Sequence, residues 1–257
     1  MQITYDFHTH TKYSHGKGTI LDNAIAAKEK GMKGIAITDH GFSHPAFGMK
    51  RKRLAQMRKD CVEAEKQTGV KILLGTESNI CGQSGKTDVL ATDYENLDIF
   101  GAGIHRFVYY DTPYDYLRLL GDTIFFSVTK IKPSKSLINY TTKVYVNAIK
   151  KNPIDFISHL NFLVFCDVET VAKACADYGT YLEISTKKVH LSDEQWEKVF
   201  KTDVKFVINS DAHSPSRVGD MKLFNELNQR VDVPIDRIVN LGDELPRLRF
   251  NEFKKTL

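Results

Sequence analysis

The chain has 257 residues, with 42% apolar and 26% charged side chains, ordinary proportions for a folded globular protein. Collagen-like, disordered and disulfide-knot classes are excluded, and apolar runs of five to six residues fall far short of the ~20 needed to span a membrane. A net charge of +4 tilts the chain only mildly toward anionic partners. The opening MQITYDFHTH has no basic stretch followed by an apolar one, so no secretion signal is expected. Cys61, Cys81, Cys166 and Cys175 form no CxxC pair and read as buried free thiols, which points to a cytoplasmic protein.

Taken in chain order, short β-rich runs fall at Ile3–Phe7, Gly34–Thr38, Lys71–Gly75, Ile99–Gly103, Ile154–Ser158, Thr180–Ile184 and Phe206–Ser210. Helical stripes lie between them. Ile20, Ala24 and Ala27 form one, closed by Gly31; Leu54, Met57, Cys61 and Ala64 form a second. Val168, Val171, Ala172 and Cys175 form a third. Trp196, Val199 and Phe200 form a fourth, opened by a Ser192–Gln195 capping box. The basic run Lys50 to Arg53, continued by Arg58 and Lys59, reads as the solvated opening of a helix. No RNA-binding or finger signature accompanies it, so nucleic acid is an unlikely partner.

Strands alternating with helices predict parallel pairing through right-handed crossovers. At this length the expected architecture is an α/β, distorted (βα)7 TIM-like barrel, one domain over residues 1–257, with one unit of an eightfold barrel missing or irregular. Chemistry in such barrels gathers beyond the C-terminal strand ends. One connection breaks the rhythm. Arg106 to Ser136 is long and aromatic, with Phe107, Tyr109, Tyr110, Tyr114, Tyr116, Phe125 and Phe126, and reads as a lid or pocket wall. Phe107, Phe125 and Phe126 are expected to anchor it.

Six of the seven strand ends carry an imidazole or a carboxylate: His8, His10 and His15; Asp39 and His40; Glu77; His105; His159; Asp211 and His213. A single histidine at a strand end usually means a hydrogen-bonded surface or core residue. Seven at equivalent positions, with two acids, have no packing explanation, because burying them together is costly unless they bind metal. On an extended segment His8 and His10 point to one side and can reach one ion, and Asp211 and His213 repeat the spacing. Nitrogen and oxygen donors without thiolate suit zinc, manganese or iron. His44 and His190 lie outside the pattern and are expected to be silent.

The segments DFHTHTKYSHG, AITDHG, LLGTESN, GAGIHR, FISHL and VINSDAHSPSRVGD resemble the motifs of the PHP family, named for polymerase and histidinol phosphatase. The resemblance implies a (βα)7 barrel and a trinuclear centre that hydrolyses phosphoesters. One ion would be held by His8, His10, Glu77 and Asp211, a second by Glu77, His105 and His159, and a third by His15, His40 and His213. It also implies a small stand-alone phosphoesterase, since no polymerase sequence is present.

Three divalent ions against two carboxylates leave a surplus of about +4 that favours a phosphate dianion, with a metal-bound hydroxide as nucleophile. Arg106 and Arg217 are candidate phosphate contacts, and Asp39 a candidate to orient a ligand or handle a proton. The expected activity is hydrolysis of a phosphate monoester: histidinol phosphate, a nucleotide, another small ester or a phosphotyrosyl protein. A metal-dependent amidohydrolase is the main alternative, disfavoured because no bridging lysine stands at a strand end. A non-enzymatic metal sensor is the third reading. The residues leave substrate, native metal and oligomeric state open.

Overall fold

The computed structural model describes residues Met1–Leu257. Seven strands, β1 (Tyr5–Thr9), β2 (Gly34–Ile37), β3 (Lys71–Asn79), β4 (Ile99–Gly103), β5 (Phe156–Ile157), β6 (Tyr181–Ser185) and β7 (Phe206–Asn209), form one sheet in sequence order. Every neighbouring pair is parallel. Strands covered on both faces read as nearly unbroken apolar runs, as β2 (GIAI) does. Helices α1 (Ile20–Glu29), α2 (Leu54–Thr68), α3 (Pro113–Asp115), α4 (Thr123–Thr129), α5 (Lys135–Lys151), α6 (Val168–Tyr178), α7 (Asp193–Phe200), α8 (Lys222–Asn228) and α9 (Arg249–Lys254) complete the chain. The result is the expected distorted (βα)7 barrel.

Local chemistry sets the helix ends. Thr19 and Asp22 make a capping box at α1, and Ser192 and Gln195 make the expected one at α7. Gly69 and Gly179, at φ 74° and 69°, end α2 and α6 in the left-handed conformation that glycine adopts without strain. The basic run does open a helix: Arg51 pairs with Asp93, and Arg58 with Asp98.

The missing eighth unit leaves a gap between β7 and β1 that is closed in two ways. Above, the His10 N–H donates to Ala212 O at 2.8 Å, and the Ala212 N–H to His8 O at 3.2 Å. Below, the buried side chain of Asn240 donates to Tyr5 O (2.8 Å) and Ile208 O (2.7 Å) and accepts from the Ile208 N–H (3.0 Å). One amide thus satisfies three of the backbone groups an eighth strand would have paired, and Asn209 Oδ1 accepts the Phe7 N–H nearby.

The barrel interior is filled at its lower end by Tyr5, Phe7, Ala36, Leu73, Ile99, Phe156, Tyr181 and Val207, drawn from all seven strands. A larger apolar layer lies between barrel and helices. This floor leaves only the upper mouth for polar groups. Three strands differ clearly from expectation: β1 runs Tyr5–Thr9 and not Ile3–Phe7, so His8 lies within it. β3 runs on to Asn79, so Glu77 lies within it. β5 is only two residues long, although the Asp155 N–H still bonds Phe100 O, and the Ser158 N–H Ala102 O.

The aromatic connection holds α3, a wide π-helical turn at Tyr116–Asp122 and α4. Its anchors are not those expected. Phe107 and Phe125 are exposed and Phe126 half-buried, whereas Val108, Tyr110 and Leu119 are buried.

Candidate metal centre

Glu77 organises the mouth of the barrel. Its Oε1 lies 2.6 Å from His159 Nε2 and 3.0 Å from His105 Nε2, and its Oε2 lies 2.9 Å from His40 Nδ1 and 3.4 Å from His8 Nε2. Asp211 Oδ1 lies 3.1 Å from His10 Nε2 and 3.3 Å from His213 Nδ1. The His15 ring is 4.7 Å from that of His40 and 4.3 Å from that of His213. All nine side chains singled out in the sequence therefore converge on one rim.

A backbone irregularity makes this convergence possible. Tyr5 and Phe7 point into the barrel, so strict alternation would send His8 to the helix side. The β1–β2 register shifts between Asp6 and Thr9, a bulge that turns His8 inward to Glu77 and Glu183.

The donors face one another across short gaps: His8 Nε2 is 3.0 Å from His10 Nε2, and His105 Nε2 is 3.4 Å from His159 Nε2. Buried Nδ1 of His10 and of His159 lack a hydrogen-bond partner, and Nδ1 of His40 and Oε2 of Glu77 have only each other, 2.9 Å apart. Donor atoms of His8, His10 and Asp211, of His10, His40 and His213, and of His40, Glu77 and His105 each lie within 4.8 Å of one another. Imidazole and carboxylate donors gathered in such trios, with Nδ1 of His10 and of His159 left unpaired, fit divalent cations. The chain holds several clusters able to coordinate metal.

Electrostatics keep Glu77, Asp211, His10, His15 and His40 in binding form but favour the proton on His8 and His159. Burial works to raise Glu77 and Asp211, but surrounding imidazoles, His105 and His8 foremost, hold both well below the usual carboxylate range. Burial, reinforced by neighbouring imidazoles, pushes His15 down to about 4 and His10 well below its ordinary value. Burial also brings His40 to about 4, against the pull of Glu77. For His8, burial is outweighed by Glu183, Glu77 and Asp211, and its affinity for a proton rises.

Supporting residues were only partly legible. Glu183 was missed: it accepts from His8 Nδ1 at 2.7 Å and from the His159 N–H at 2.6 Å. Its signal was a carboxylate inside the apolar run YLEIS, on the one strand that lacked a polar end. Asn79 Oδ1 sits 2.8 Å from His105 Nδ1. Asp39 is wholly buried and accepts from the Thr11 N–H (2.7 Å), Thr11 Oγ1 (2.6 Å) and Ser14 Oγ. It clamps the loop carrying His10 and His15 and touches neither ring.

Both arginines are directed elsewhere. Arg106 Nη2 donates to Thr123 O, Ser127 Oγ and Leu163 O, while its buried Nε has no partner. Arg217 bonds Thr186 O and pairs with Asp220 at 2.9 Å. The cation at the rim is instead Lys187, two residues beyond β6, with Nζ 3.1 Å from Asp211 Oδ2 and 3.0 Å from His213 Nδ1. A lysine thus stands just beyond a strand end, where no bridging lysine was expected, and its Nζ contacts Asp211 and His213 alone. The lysine was hidden because the strand was read to end at Ile184 and its loop to carry nothing.

Residues 6–187 match the PHP domain family. The chain belongs to that family. It is accordingly a metal-dependent phosphoesterase by class. Over 267 residues it is 28% identical to a protein of Caldanaerobacter subterraneus subsp. tengcongensis named Probable phosphatase, spanning 100% of this chain and 94% of that one. A Probable phosphatase of Thermoanaerobacter sp. (strain X514) is 30% identical over 250 residues, covering 93% and 91%. The fold is similar, at a TM-score of 0.58 and 13% identity, to that of histidinol phosphate phosphatase from Lactococcus lactis subsp. lactis, a structure complexed with zinc, L-histidinol and phosphate. That match covers 88% of this chain and 91% of the other. No helix of this PHP protein is long and apolar enough to cross a membrane.

Proposed function

We propose that this PHP protein hydrolyses phosphate monoesters of small molecules, in the manner of a histidinol phosphatase, with three divalent ions (zinc, manganese or iron) at the barrel mouth. His8, His10, Glu77 and Asp211 would hold the first, Glu77, His105 and His159 the second, and His15, His40 and His213 the third. The observation that carries the reading is Glu77, buried with one oxygen toward His105 and His159 and the other toward His40 and His8. A carboxylate so placed can be shared between two cations.

When bound, such ions supply Lewis acidity toward phosphoryl oxygens and a water acidic enough to attack at neutral pH. The chain itself orients the donors. Glu183 fixes the His8 ring through Nδ1, and Asn79 fixes His105 through its own. Lys187 adds a positive charge beside Asp211, on the open side where a phosphate dianion would enter. Its pairing with Asp211 keeps it from bridging toward Glu77, which speaks against the amidohydrolase reading. Asp39, sealed against Thr11 and Ser14, would act on the reaction only through the loop it holds.

In the basic run Arg51 and Arg58 are paired with Asp93 and Asp98, and no RNA-binding or finger signature accompanies the run, so we do not propose nucleic acid as a substrate. The four buried free thiols support a cytoplasmic setting. The test is turnover by zinc-, manganese- and iron-loaded protein of a phosphate-ester panel that includes histidinol phosphate, beside amide and lactone substrates. Release of inorganic phosphate from monoesters alone is expected. Turnover confined to amides would overturn the reading.

A further inference from the structure

The loop after β5 runs through three left-handed non-glycine residues, His159, Asn161 and Leu163, at φ 26°, 68° and 60°. Asparagine tolerates this conformation. Histidine is found there less often than asparagine, and leucine adopts it only where surrounding bonds impose it. Those bonds are present: the His159 N–H donates to Glu183 Oε2 at 2.6 Å, the Phe162 N–H to His159 O at 2.8 Å, and the Cys166 N–H to Asn161 Oδ1 at 2.9 Å. Arg106 closes the loop by donating to Leu163 O at 3.1 Å, which accounts for a guanidinium otherwise unexplained beside the site.

What this strained loop achieves is the position of one ring. Phe162 lies half-buried with its centroid 4.9 Å from His159 and 5.0 Å from His190, and the two imidazoles are 5.7 Å apart. His190, expected to be silent, packs against both Phe162 and His159. Lys188 Nζ stands 6.0 Å from the Phe162 centroid, and Lys187 next to it reaches Asp211. Phosphate-favouring charge and an aromatic wall thus lie side by side on one edge of the rim.

We propose that Phe162 and His190 form the leaving-group subsite, a specificity-determining wall that takes a flat aromatic or heteroaromatic leaving group of the monoester. The inference rests on the phosphoesterase reading and deepens it. With the phosphate at the Glu77–Asp211 cluster, a planar group on its ester oxygen extends past His159 and meets the Phe162 face edge-on or offset, the geometries aromatic pairs favour. A small alkyl group reaches neither ring. Phe47 offers a second wall, 4.9 Å from His15, but it is exposed, and no left-handed non-glycine residue occurs in its loop. Beyond that contact it is held only by His44, through its N–H at 3.0 Å and ring contact at 5.0 Å.

The test uses binding as well as turnover. Zinc-loaded protein is titrated with phenylphosphonate and methylphosphonate, which carry the same head group and cannot be hydrolysed at an ester bond. Wild type is expected to prefer phenylphosphonate. Phe162→Ala should cut that preference about 3- to 10-fold while leaving methylphosphonate affinity unchanged, the range that one aromatic contact supplies. Phe162→Leu, which keeps most of the packing, should do the same if the alanine variant fails to fold, and Phe162→Trp should restore the preference. kcat/KM for phenyl phosphate relative to ethyl phosphate should move in parallel. An unchanged ratio in both Phe162 variants, a loss confined to Phe47→Ala, or no phenyl preference in wild type would overturn the subsite. Absence of turnover with any ester, while the phosphonate ratio still follows Phe162, would sink the phosphoesterase reading and leave the subsite standing.

Discussion

Glu77 and Glu183 are both fully buried carboxylates among imidazoles, yet they face different demands. Glu77 presents both oxygens to the gap between histidines, whereas Glu183 is spent on the far nitrogen of His8 and the backbone of His159. Glu77→Gln removes a charge and a shared donor together. It should lower bound metal, read by elemental analysis, and kcat/KM by about 100-fold or more. Glu183→Gln keeps the shape and weakens only orientation, for which a loss of about 10- to 100-fold in metal affinity is expected. Equal losses in the two variants would contradict this division. His44 is a different case: its Nδ1 accepts the Phe47 N–H at 3.0 Å, a local turn contact, so His44→Ala should leave metal content intact.

The elements are tied together far from the mouth by Asp155, just before β5. It accepts the Phe100 N–H of β4 at 2.8 Å and the Phe250 N–H of α9 at 2.9 Å. Burial pushes its carboxyl up to about 7, against the opposing pull of those N–H groups and Arg249. A carboxyl whose folded value is raised binds more protons folded than unfolded, so its contribution to stability falls as pH rises from about 4 toward 7. Wild type should therefore lose stability relative to Asp155→Asn across that window, measured by urea unfolding at pH 4.5 and pH 8. A relative gain would reverse the sign. At the same scale, Tyr110 carries the aromatic connection: its hydroxyl donates to His105 O at 2.6 Å, coupling that segment to a metal-facing loop.

Across the whole molecule, the barrel mouth concentrates orphaned donors that cations would satisfy in the folded state alone. Metal should therefore raise the thermal midpoint in a concentration-dependent way. Protein purified without chelator is expected to carry two to three ions per chain. Chelation should lower the midpoint while unfolding of residues 1–257 remains one transition, as expected of one domain. A stoichiometry near zero after loading with zinc, manganese and iron would remove the trinuclear reading. Two separate transitions would remove the single domain.

The sequence by itself determined the alternation of strands and helices, the barrel class and the nine side chains at its mouth. Each of these is written in local periodicity or in residue types too costly to bury without a purpose. It could not decide which way those side chains turn. The inward aim of His8 depends on a bulge against β2, invisible to any count of spacing. Closure of the barrel depends on Asn240, more than 230 residues from the strand whose Tyr5 carbonyl it satisfies. Arg106 and Arg217 sit beside ligand motifs in the chain but point at backbone carbonyls, while Lys187 and Glu183 reach the site from β6 and its following loop. Residue type fixes what a side chain can bond. Only the packed neighbours decide which partner is within reach.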